Sequence, residues 1–241
     1  MVTGLAVHKL ESGYDANVIM FNWDSKAGLG LKDRSRPLSK MTEASNSFSK
    51  VLQGIQNYKK KNPQSEDIAL LVHSMGNIVV ETYIESRGDW IADGKLPLFS
   101  NVVLSSPDSD DIDHSRWVGK ISAIDRVYVT FNKGDRVLNR SYDKRAPGIE
   151  PLGLEPGAVL APSAVYVDLS GLSGNVGDIN ERHENFGKKG MYDQVYVCEF
   201  FQQALTSQAV ILNNSNTLTV VPNKRYEIKF KRNGKDLCFG S

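Results

Sequence analysis

One segment constrains the fold of this chain more than any other. Residues 67–84 read DIALLVHSMGNIVVETYI. Residues 67–72 form an almost continuous apolar run, which is typical of a strand buried on both faces of a parallel sheet. The tetrapeptide His73-Ser74-Met75-Gly76 then makes a tight turn, and residues 75–87 continue with helical periodicity. A buried strand that turns directly into a helix predicts a protein of the α/β class.

The rest of the chain continues this alternation of strands and helices. Further strands are predicted at residues 17–23, 99–104, 126–131 and 164–169. Helices are predicted at residues 4–12 (the tail of one), 39–62, 114–124 and 191–205. The pattern predicts a mostly parallel central sheet with helices on both faces.

Three further segments complete the predicted organisation. Residues 25–37 are expected to form a loop, and residues 147–162, with four prolines and three glycines, are expected to be irregular. The latter segment is either a lid over the site or a long surface loop. Two short strands at residues 217–221 and 226–230 predict a C-terminal β-hairpin. We therefore expect an α/β domain over residues 1–210 and a C-terminal β extension over residues 211–241.

Composition excludes several classes of function. The 241-residue chain is 40% hydrophobic and 24% charged with a formal net charge of +1, so no strong field attracts nucleic acid or an anionic membrane. No stretch approaches the roughly 18 apolar residues of a membrane span, and no signal peptide is recognised, so a cytoplasmic location is expected. The two cysteines lack metal-ligand spacing, and no metal site is predicted.

The turn after the first buried strand supplies a candidate nucleophile. A strand–turn–helix context is what a nucleophilic serine at a sharp elbow requires, and it places Ser74 above the carboxyl edge of the sheet. The N–H of Met75, at the start of the helix, would face a developing oxyanion. The pattern Ser-x-Gly alone is weak, because Ser86-Arg87-Gly88 also fits, although it follows a helix. Val72 replaces the first glycine of the usual pattern, so its branched side chain has to be accommodated.

A serine nucleophile needs a histidine base and an acid that orients it. Of the four histidines, His183 lies in a polar loop after the last strand of the α/β pattern, where this fold places the base. Asp135 follows the strand at residues 126–131 and is the first candidate for the acid. Asp108, after the strand at residues 99–104, is the alternative acid.

Together these motifs resemble those of a group of bacterial α/β-hydrolases in the esterase/lipase superfamily, many of unknown function. The resemblance runs from about residue 5 to residue 205. It is carried by the segments Asn22-Trp23-Asp24-Ser25, His73-Ser74-Met75-Gly76-Asn77, Ser106-Pro107-Asp108-Ser109-Asp110 and Asn132-Lys133-Gly134-Asp135, and by His183.

The resemblance implies hydrolysis of a small-molecule or lipid ester, with no metal or organic cofactor. The group's pattern starts with a strand ending in His-Gly, whose loop gives the second oxyanion donor. Because this sequence begins after that motif, we expect the oxyanion hole to be incomplete. We expect the place of the strand to be taken by the strand at residues 17–23, by another segment or by a second subunit in a homodimer. The alternatives are a catalytically degenerate binding module, or a thioesterase, lactonase or acyltransferase that uses the same site.

Overall fold

The computed structural model describes residues 18–25, 34–64, 67–87, 98–172, 195–206, 218–221 and 225–228, together with residues 183 and 210. The helix tail predicted at residues 4–12 and most of the loop predicted at residues 25–37 lie outside these ranges. None of the described helices combines the length and apolar character needed to cross a membrane.

The described elements alternate between strand and helix through most of the chain. The helices are α1 (Ser35–Leu38), α2 (Met41–Lys61), α3 (Gly76–Arg87), α4 (His114–Val118), α5 (Arg136–Tyr142) and α6 (Val195–Leu205). The strands are β1 (Leu70–His73), β2 (Asn101–Ser105), β3 (Arg126–Phe131), β4 (Ala164–Asp168), β5 (Leu218–Val221) and β6 (Arg225–Ile228). Helix α5 was not predicted from the sequence, and neither was the short helix α1, most of which lies in the segment predicted as a loop at residues 25–37.

The strands form one six-stranded sheet in the order β1-β2-β3-β4-β6-β5. The first five in this order are parallel, and β5 pairs antiparallel with β6. The predicted α/β class, the mostly parallel sheet and the C-terminal hairpin are therefore confirmed. Since the carboxyl ends of parallel strands share one edge, the segments that follow β1, β2, β3 and β4 meet there.

Side chains of the central strands alternate between two apolar layers, as the period of two in a strand requires. Val102 and Leu104 of β2 belong to the layer that includes buried residues of α2 and α3, whereas Val103 lies in the opposite layer with Phe200 of α6. In the first layer the ring of Phe48 stacks edge-on against that of Tyr83, with centroids 5.8 Å apart. Both faces of the sheet are thus covered, which explains why its strands read as continuous apolar runs.

The strand predicted at residues 17–23 is wrong, because residues 18–25 form neither strand nor helix. Their apolar side chains have another use. The ring of Phe21 lies 5.6 Å from that of Phe48, and Trp23 packs against the same core cluster. Ile19 and Met20 are 71% and 53% exposed. The run is apolar because some of its side chains dock on the core, and not because its backbone joins the sheet.

Residues 147–162 contain no helix or strand, and part of the segment is fixed to the loop after β2. The N–H of Leu152 donates to the carbonyl of Ser109, and the N–H of Gly153 donates to that of Pro107, both at 2.8 Å. A Cβ on Gly153 would lie 2.6 Å from Pro107 N, so only glycine permits this approach. A lid role for this segment stays a prediction.

Candidate active site

Ser74 lies in the turn between β1 and α3, in an unusual backbone conformation. Its φ of 52° is in the left-handed region, which non-glycine residues seldom occupy. The Ser74 N–H donates to the carbonyl of Ser105 at the end of β2, with a length of 3.0 Å. Strained backbone of this kind persists only where the surroundings over-determine it, and it clusters at functional sites.

The surroundings that hold this turn converge on the Ser74 carbonyl. This oxygen accepts from the N–H of Asn77 at 3.0 Å, from the Asn77 side-chain amide at 3.0 Å and from the N–H of Asp108 at 3.2 Å. The Asn77 amide also donates to the Val72 carbonyl at 3.2 Å, and Asn77 is fully buried. One side chain therefore ties the end of β1 to the turn.

Val72, which replaces the first glycine of the usual pattern, is accommodated in the core without a close contact to α3. Val72 is buried in the core, and its Cγ1 lies 3.5 Å from the position that a Cβ on Gly76 would occupy. That separation is an ordinary van der Waals contact. The branched side chain on β1 therefore fits against the start of α3 and does not itself require a glycine at position 76.

Met75 links the turn to the start of α3, which runs for 12 residues. Its side chain is buried in the core, which fixes the backbone around it. Among the residues that the structure describes, none accepts a hydrogen bond from the Met75 N–H. The start of a helix carries partial positive charge, so this N–H has the electrostatic setting of an anion donor.

Asp135 and His183 are brought together although 48 residues separate them in the sequence. His183 Nδ1 lies 2.7 Å from Asp135 Oδ2. The other carboxylate oxygen accepts from the N–H groups of Val137 and Leu138, each at 2.9 Å, and so caps helix α5. Asp135 is fully buried and His183 is nearly so. The cap fixes the carboxylate, and the carboxylate in turn orients the imidazole.

The backbone of His183 is attached to the strand ends on the Ser74 side of the site. Its carbonyl lies 3.1 Å from His73 Nε2 and 3.1 Å from Ser106 Oγ. The imidazole rings of His73 and His183 are 4.6 Å apart between centroids. His183 is therefore next to the residue that precedes the candidate nucleophile. Sequence analysis did not single out His73 or Ser106 in this role.

His73 is neutral in this setting. Its pKa is lowered from 6.5 to about 4: burial is the largest cause, repulsion from a charged His183 acts in the same direction, and the hydrogen bond to the His183 carbonyl opposes the shift. Because a carbonyl can only accept, the proton on His73 resides on Nε2. At neutral pH His73 is a hydrogen-bond donor without charge.

Asp108 has partners other than His183 in the described part of the chain. Arg145 Nη2 contacts Asp108 Oδ1 at 2.9 Å, and Ser141 Oγ contacts the same oxygen at 2.5 Å. Arg34 Nη2 lies 3.5 Å from Asp108 Oδ2 and also donates to the Asp108 carbonyl. The guanidinium of Arg145 is 3% exposed, and its Nε contacts Asp110 Oδ1 at 2.9 Å. These ion pairs hold the loop after β2, in which the N–H of Asp108 donates to the Ser74 carbonyl.

Two further titratable groups, the half-buried Glu81 and the buried His114, lie near this loop. The pKa of Glu81 on α3 is raised to about 7, mainly by burial and in part by repulsion from Glu85. His114 is held at both ring nitrogens: Nδ1 lies 2.6 Å from the Asp111 carbonyl, and Nε2 lies 2.8 Å from the hydroxyl of Tyr166. Burial lowers the pKa of His114. Because both ring nitrogens are hydrogen-bonded, we interpret His114 as a structural residue that links the start of α4 to Tyr166 on β4.

The candidate site thus combines a parallel sheet, a strained serine at a strand-to-helix turn, and a histidine–aspartate pair at the same edge. These features define an α/β-hydrolase. The chain belongs to the α/β-hydrolase family of unknown function known as DUF900, whose model matches residues 2–146. The expected resemblance to α/β-hydrolases is confirmed. The matched segment contains Ser74 and Asp135 and ends before His183.

The comparison with curated proteins gave no match, and neither did the comparison with solved structures. Within the described ranges, no cluster of three or more histidine, cysteine, aspartate or glutamate residues could hold a metal ion.

Proposed function

We propose that this protein is a serine carboxylic-ester hydrolase in which Ser74 is the nucleophile, His183 the general base and Asp135 the acid that orients it. The observation that carries the proposal is the 2.7 Å contact between His183 Nδ1 and Asp135 Oδ2 at the sheet edge that holds the Ser74 turn. Nucleophile, acid and base occur in the chain order that α/β-hydrolases use.

The hydrogen bond from Nδ1 to Asp135 determines which nitrogen acts as the base. With the Nδ1 proton held by the carboxylate, the lone pair resides on Nε2. Nε2 takes the proton of the Ser74 hydroxyl as Oγ attacks the acyl carbon of the ester. The resulting imidazolium returns this proton to the leaving alcohol as the C–O bond breaks, which leaves an acyl group on Ser74.

Water completes the cycle by the same route. Nε2 accepts a proton from the water molecule as its oxygen attacks the acyl carbon, and the proton then returns to Ser74 Oγ as the carboxylic acid leaves. In both halves of the reaction, the Met75 N–H at the start of α3 donates to the oxyanion. Every proton moves between residues of this chain, the ester and water, so the scheme needs no metal or organic cofactor.

The partners of the two candidate acids favour Asp135 over Asp108. Asp135 directs one oxygen to His183 and the other to the start of α5. The carboxylate of Asp108 instead binds the guanidinium of Arg145 and the hydroxyl of Ser141. A carboxylate whose lone pairs already face a buried guanidinium is a poor acceptor for a further histidine. We therefore assign Asp108 to the support of the Ser74 turn.

Hydrolysis of p-nitrophenyl esters with short to long acyl chains tests the proposal. We expect the wild-type protein to hydrolyse part of this series and the Ser74→Ala variant to lose the activity. Ser86→Ala is the matched control, because Ser86 lies in the second Ser-x-Gly match and its hydroxyl donates to the Tyr83 carbonyl one turn earlier in α3. It should keep the wild-type rate.

Three other outcomes change the conclusion. Equal turnover by the wild-type protein and Ser74→Ala would remove Ser74 from the mechanism. A well-folded wild-type protein without activity on any ester would favour a degenerate binding module. Faster Ser74-dependent turnover of thioesters or lactones, or acyl transfer to an added alcohol, would keep the site and change the substrate class.

A further inference from the structure

We propose that His73 and Ser106 are positioning residues that hold the general base in place by binding its backbone. Their side chains donate to one oxygen, the carbonyl of His183, and each contact is 3.1 Å long. The inference rests on the proposed function, in which His183 is the base. It adds two residues that touch neither substrate nor reacting atoms.

Both donors lie at the carboxyl ends of neighbouring strands of the parallel sheet. His73 is the last residue of β1, and Ser106 directly follows β2. His73 pairs in parallel register with Ser105, so the two donors start from adjacent strand ends. The carbonyl they bind belongs to a residue 110 and 77 positions away in the sequence. The edge of the sheet thereby holds the His183 backbone, which is distant in the sequence.

The backbone of Ser106 indicates that its orientation is specifically maintained. Its φ is 44°, which places a non-glycine residue in the left-handed region. Ser106 is fully buried, and its N–H donates to Thr130 Oγ1 on β3 at 3.3 Å. A conformation of this kind costs free energy and needs compensating contacts. The hydrogen bond to His183 is one of these contacts.

A general base needs this second attachment for a geometric reason. The bond to Asp135 orients the imidazole ring but leaves the His183 backbone free to shift. Two donors on the carbonyl occupy both lone pairs of the oxygen and fix the backbone against the sheet. The ring is then held at Nδ1 and at the main chain, so Nε2 has a defined position. A displacement of about 1 Å in such a site can cost about 100-fold in rate.

The neutral state of His73 suits this position. Its ring centroid is 4.6 Å from that of His183, which becomes positively charged during the reaction. A charged neighbour at this distance would oppose that charge. Burial keeps His73 uncharged at neutral pH, so it donates a hydrogen bond without repelling the imidazolium.

Substitutions at the two positions separate anchoring from simple packing. His73→Phe keeps a planar ring and removes the donor, whereas His73→Gln keeps an N–H at nearly the position of Nε2. Ser106→Ala removes the second donor. We expect kcat for ester hydrolysis to fall roughly 10- to 100-fold in His73→Phe, with KM changed less than about threefold, and to recover mostly in His73→Gln. The double variant His73→Phe/Ser106→Ala should lose more than the product of the single losses, because each bond compensates for the other.

A second readout does not depend on turnover. The proton between His183 Nδ1 and Asp135 should give a strongly downfield NMR resonance, assigned by its absence from His183→Ala. We expect a sharp resonance in the wild-type protein and His73→Gln, and a broadened or absent one in the double variant. If the double variant does not fold, Ser106→Ala and the comparison of His73→Phe with His73→Gln decide by the same criteria.

The outcomes distinguish this inference from the proposed function. Wild-type kcat together with a sharp resonance in folded His73→Phe/Ser106→Ala would overturn the anchoring role. Equal losses in His73→Phe and His73→Gln would also overturn it, because they would show that ring shape matters and the donor does not. A wild-type protein without esterase activity would refute the proposed function alone, and the resonance would still test the anchor.

Discussion

Replacing Asp135 by asparagine changes one hydrogen bond of the candidate site while preserving its shape. The backbone N–H groups of Val137 and Leu138 both point at Oδ1, so the asparagine oxygen has to stay there to cap α5. The new amide NH₂ therefore faces His183 Nδ1. Since two donors cannot bond to each other, His183 has to place its proton on Nε2. In the proposed mechanism Nε2 accepts the proton of Ser74, and in this variant Nε2 is already protonated.

The effects of this substitution on rate and on stability follow from these contacts. The same change in a serine-protease triad lowers kcat about 10⁴-fold, and we expect a loss of 10³- to 10⁴-fold here. Asparagine caps a helix about as well as aspartate, and the lost charge–dipole interaction is worth about 0.3–1 kcal/mol. We therefore expect the free energy of unfolding to fall by only about 1 kcal/mol.

Asp135→Ala is the matched variant that removes both roles. It leaves His183 Nδ1 and the two N–H groups of the helix cap without their acceptor, at about 1–3 kcal/mol for each donor that stays dry. We expect a loss of about 4 kcal/mol in the free energy of unfolding. The two variants should thus share a low rate and differ in stability.

Urea unfolding and kcat/KM for a p-nitrophenyl ester, measured on the wild-type protein and both variants, test this reasoning. Asp135→Asn should unfold near the wild-type midpoint and be almost inactive. More than a tenth of wild-type kcat/KM in folded Asp135→Asn would refute the orienting role. Equal stability of the two variants would refute the assignment of a separate capping role to Oδ1.

Three further predictions concern the supports of the site. Asn77→Ala removes a buried amide donor from the carbonyls of the turn. It should slow the reaction of Ser74 with a fluorophosphonate at least tenfold, measured as a labelling rate, and lower the free energy of unfolding in urea by about 2 kcal/mol. Arg145→Met should cost about 3–5 kcal/mol, because Asp108 becomes a buried, poorly paired charge, and the double variant Asp108→Asn/Arg145→Met should recover part of this loss in thermal unfolding. Folded His73 stays neutral down to about pH 4, while the unfolded chain takes up a proton near pH 6.5. The wild-type protein should therefore lose roughly 3 kcal/mol of unfolding free energy, relative to His73→Gln, as the pH falls from 6.5 to 4; parallel curves for the two proteins would contradict the assignment.

The elements that could be predicted from sequence are those with the strongest one-dimensional signal. The run at residues 126–131 matches β3 at both ends, because a central strand that helices cover on both faces is mostly apolar, as Val127, Tyr128, Val129 and Phe131 are here. The helix predicted at residues 39–62 forms at Met41–Lys61, since one apolar face runs along most of its length. In long segments the apolar pattern is enough to predict the secondary structure.

Residues 18–25 and helix α5 were assigned incorrectly from the sequence, because their sequence signal is shared with other structures. Residues 18–25 have the apolar composition of a strand, yet what distinguishes a strand is a hydrogen-bonding partner, which composition does not specify. Helix α5 is seven residues long and buries only Leu138 and Ser141, so it shows no periodicity. It starts at Asp135, whose second role as a helix cap is visible only when the backbone N–H groups are placed.

The residues of the candidate site also fall into two groups, those that the sequence pointed to and those that it did not. The turn context and the chain order of α/β-hydrolases led to Ser74, Asp135 and His183 from the sequence. The supporting contacts of His73 and Ser106 did not follow, because they join residues far apart in the chain and end on a backbone carbonyl, which carries no residue identity. The partners of Asp108 were missed for a related reason: Arg34 and Arg145 are ordinary surface residue types until the fold buries them.

Mass spectrometry after treatment with a fluorophosphonate tests the central claim most directly, because the reagent needs an activated serine and no knowledge of the substrate. We predict one adduct per wild-type chain, located on Ser74, with no adduct in Ser74→Ala and the normal adduct in Ser86→Ala. Asp135→Asn should react far more slowly than the wild-type protein. A folded wild-type chain that stays unlabelled, or that is labelled at a serine other than Ser74, would contradict the account.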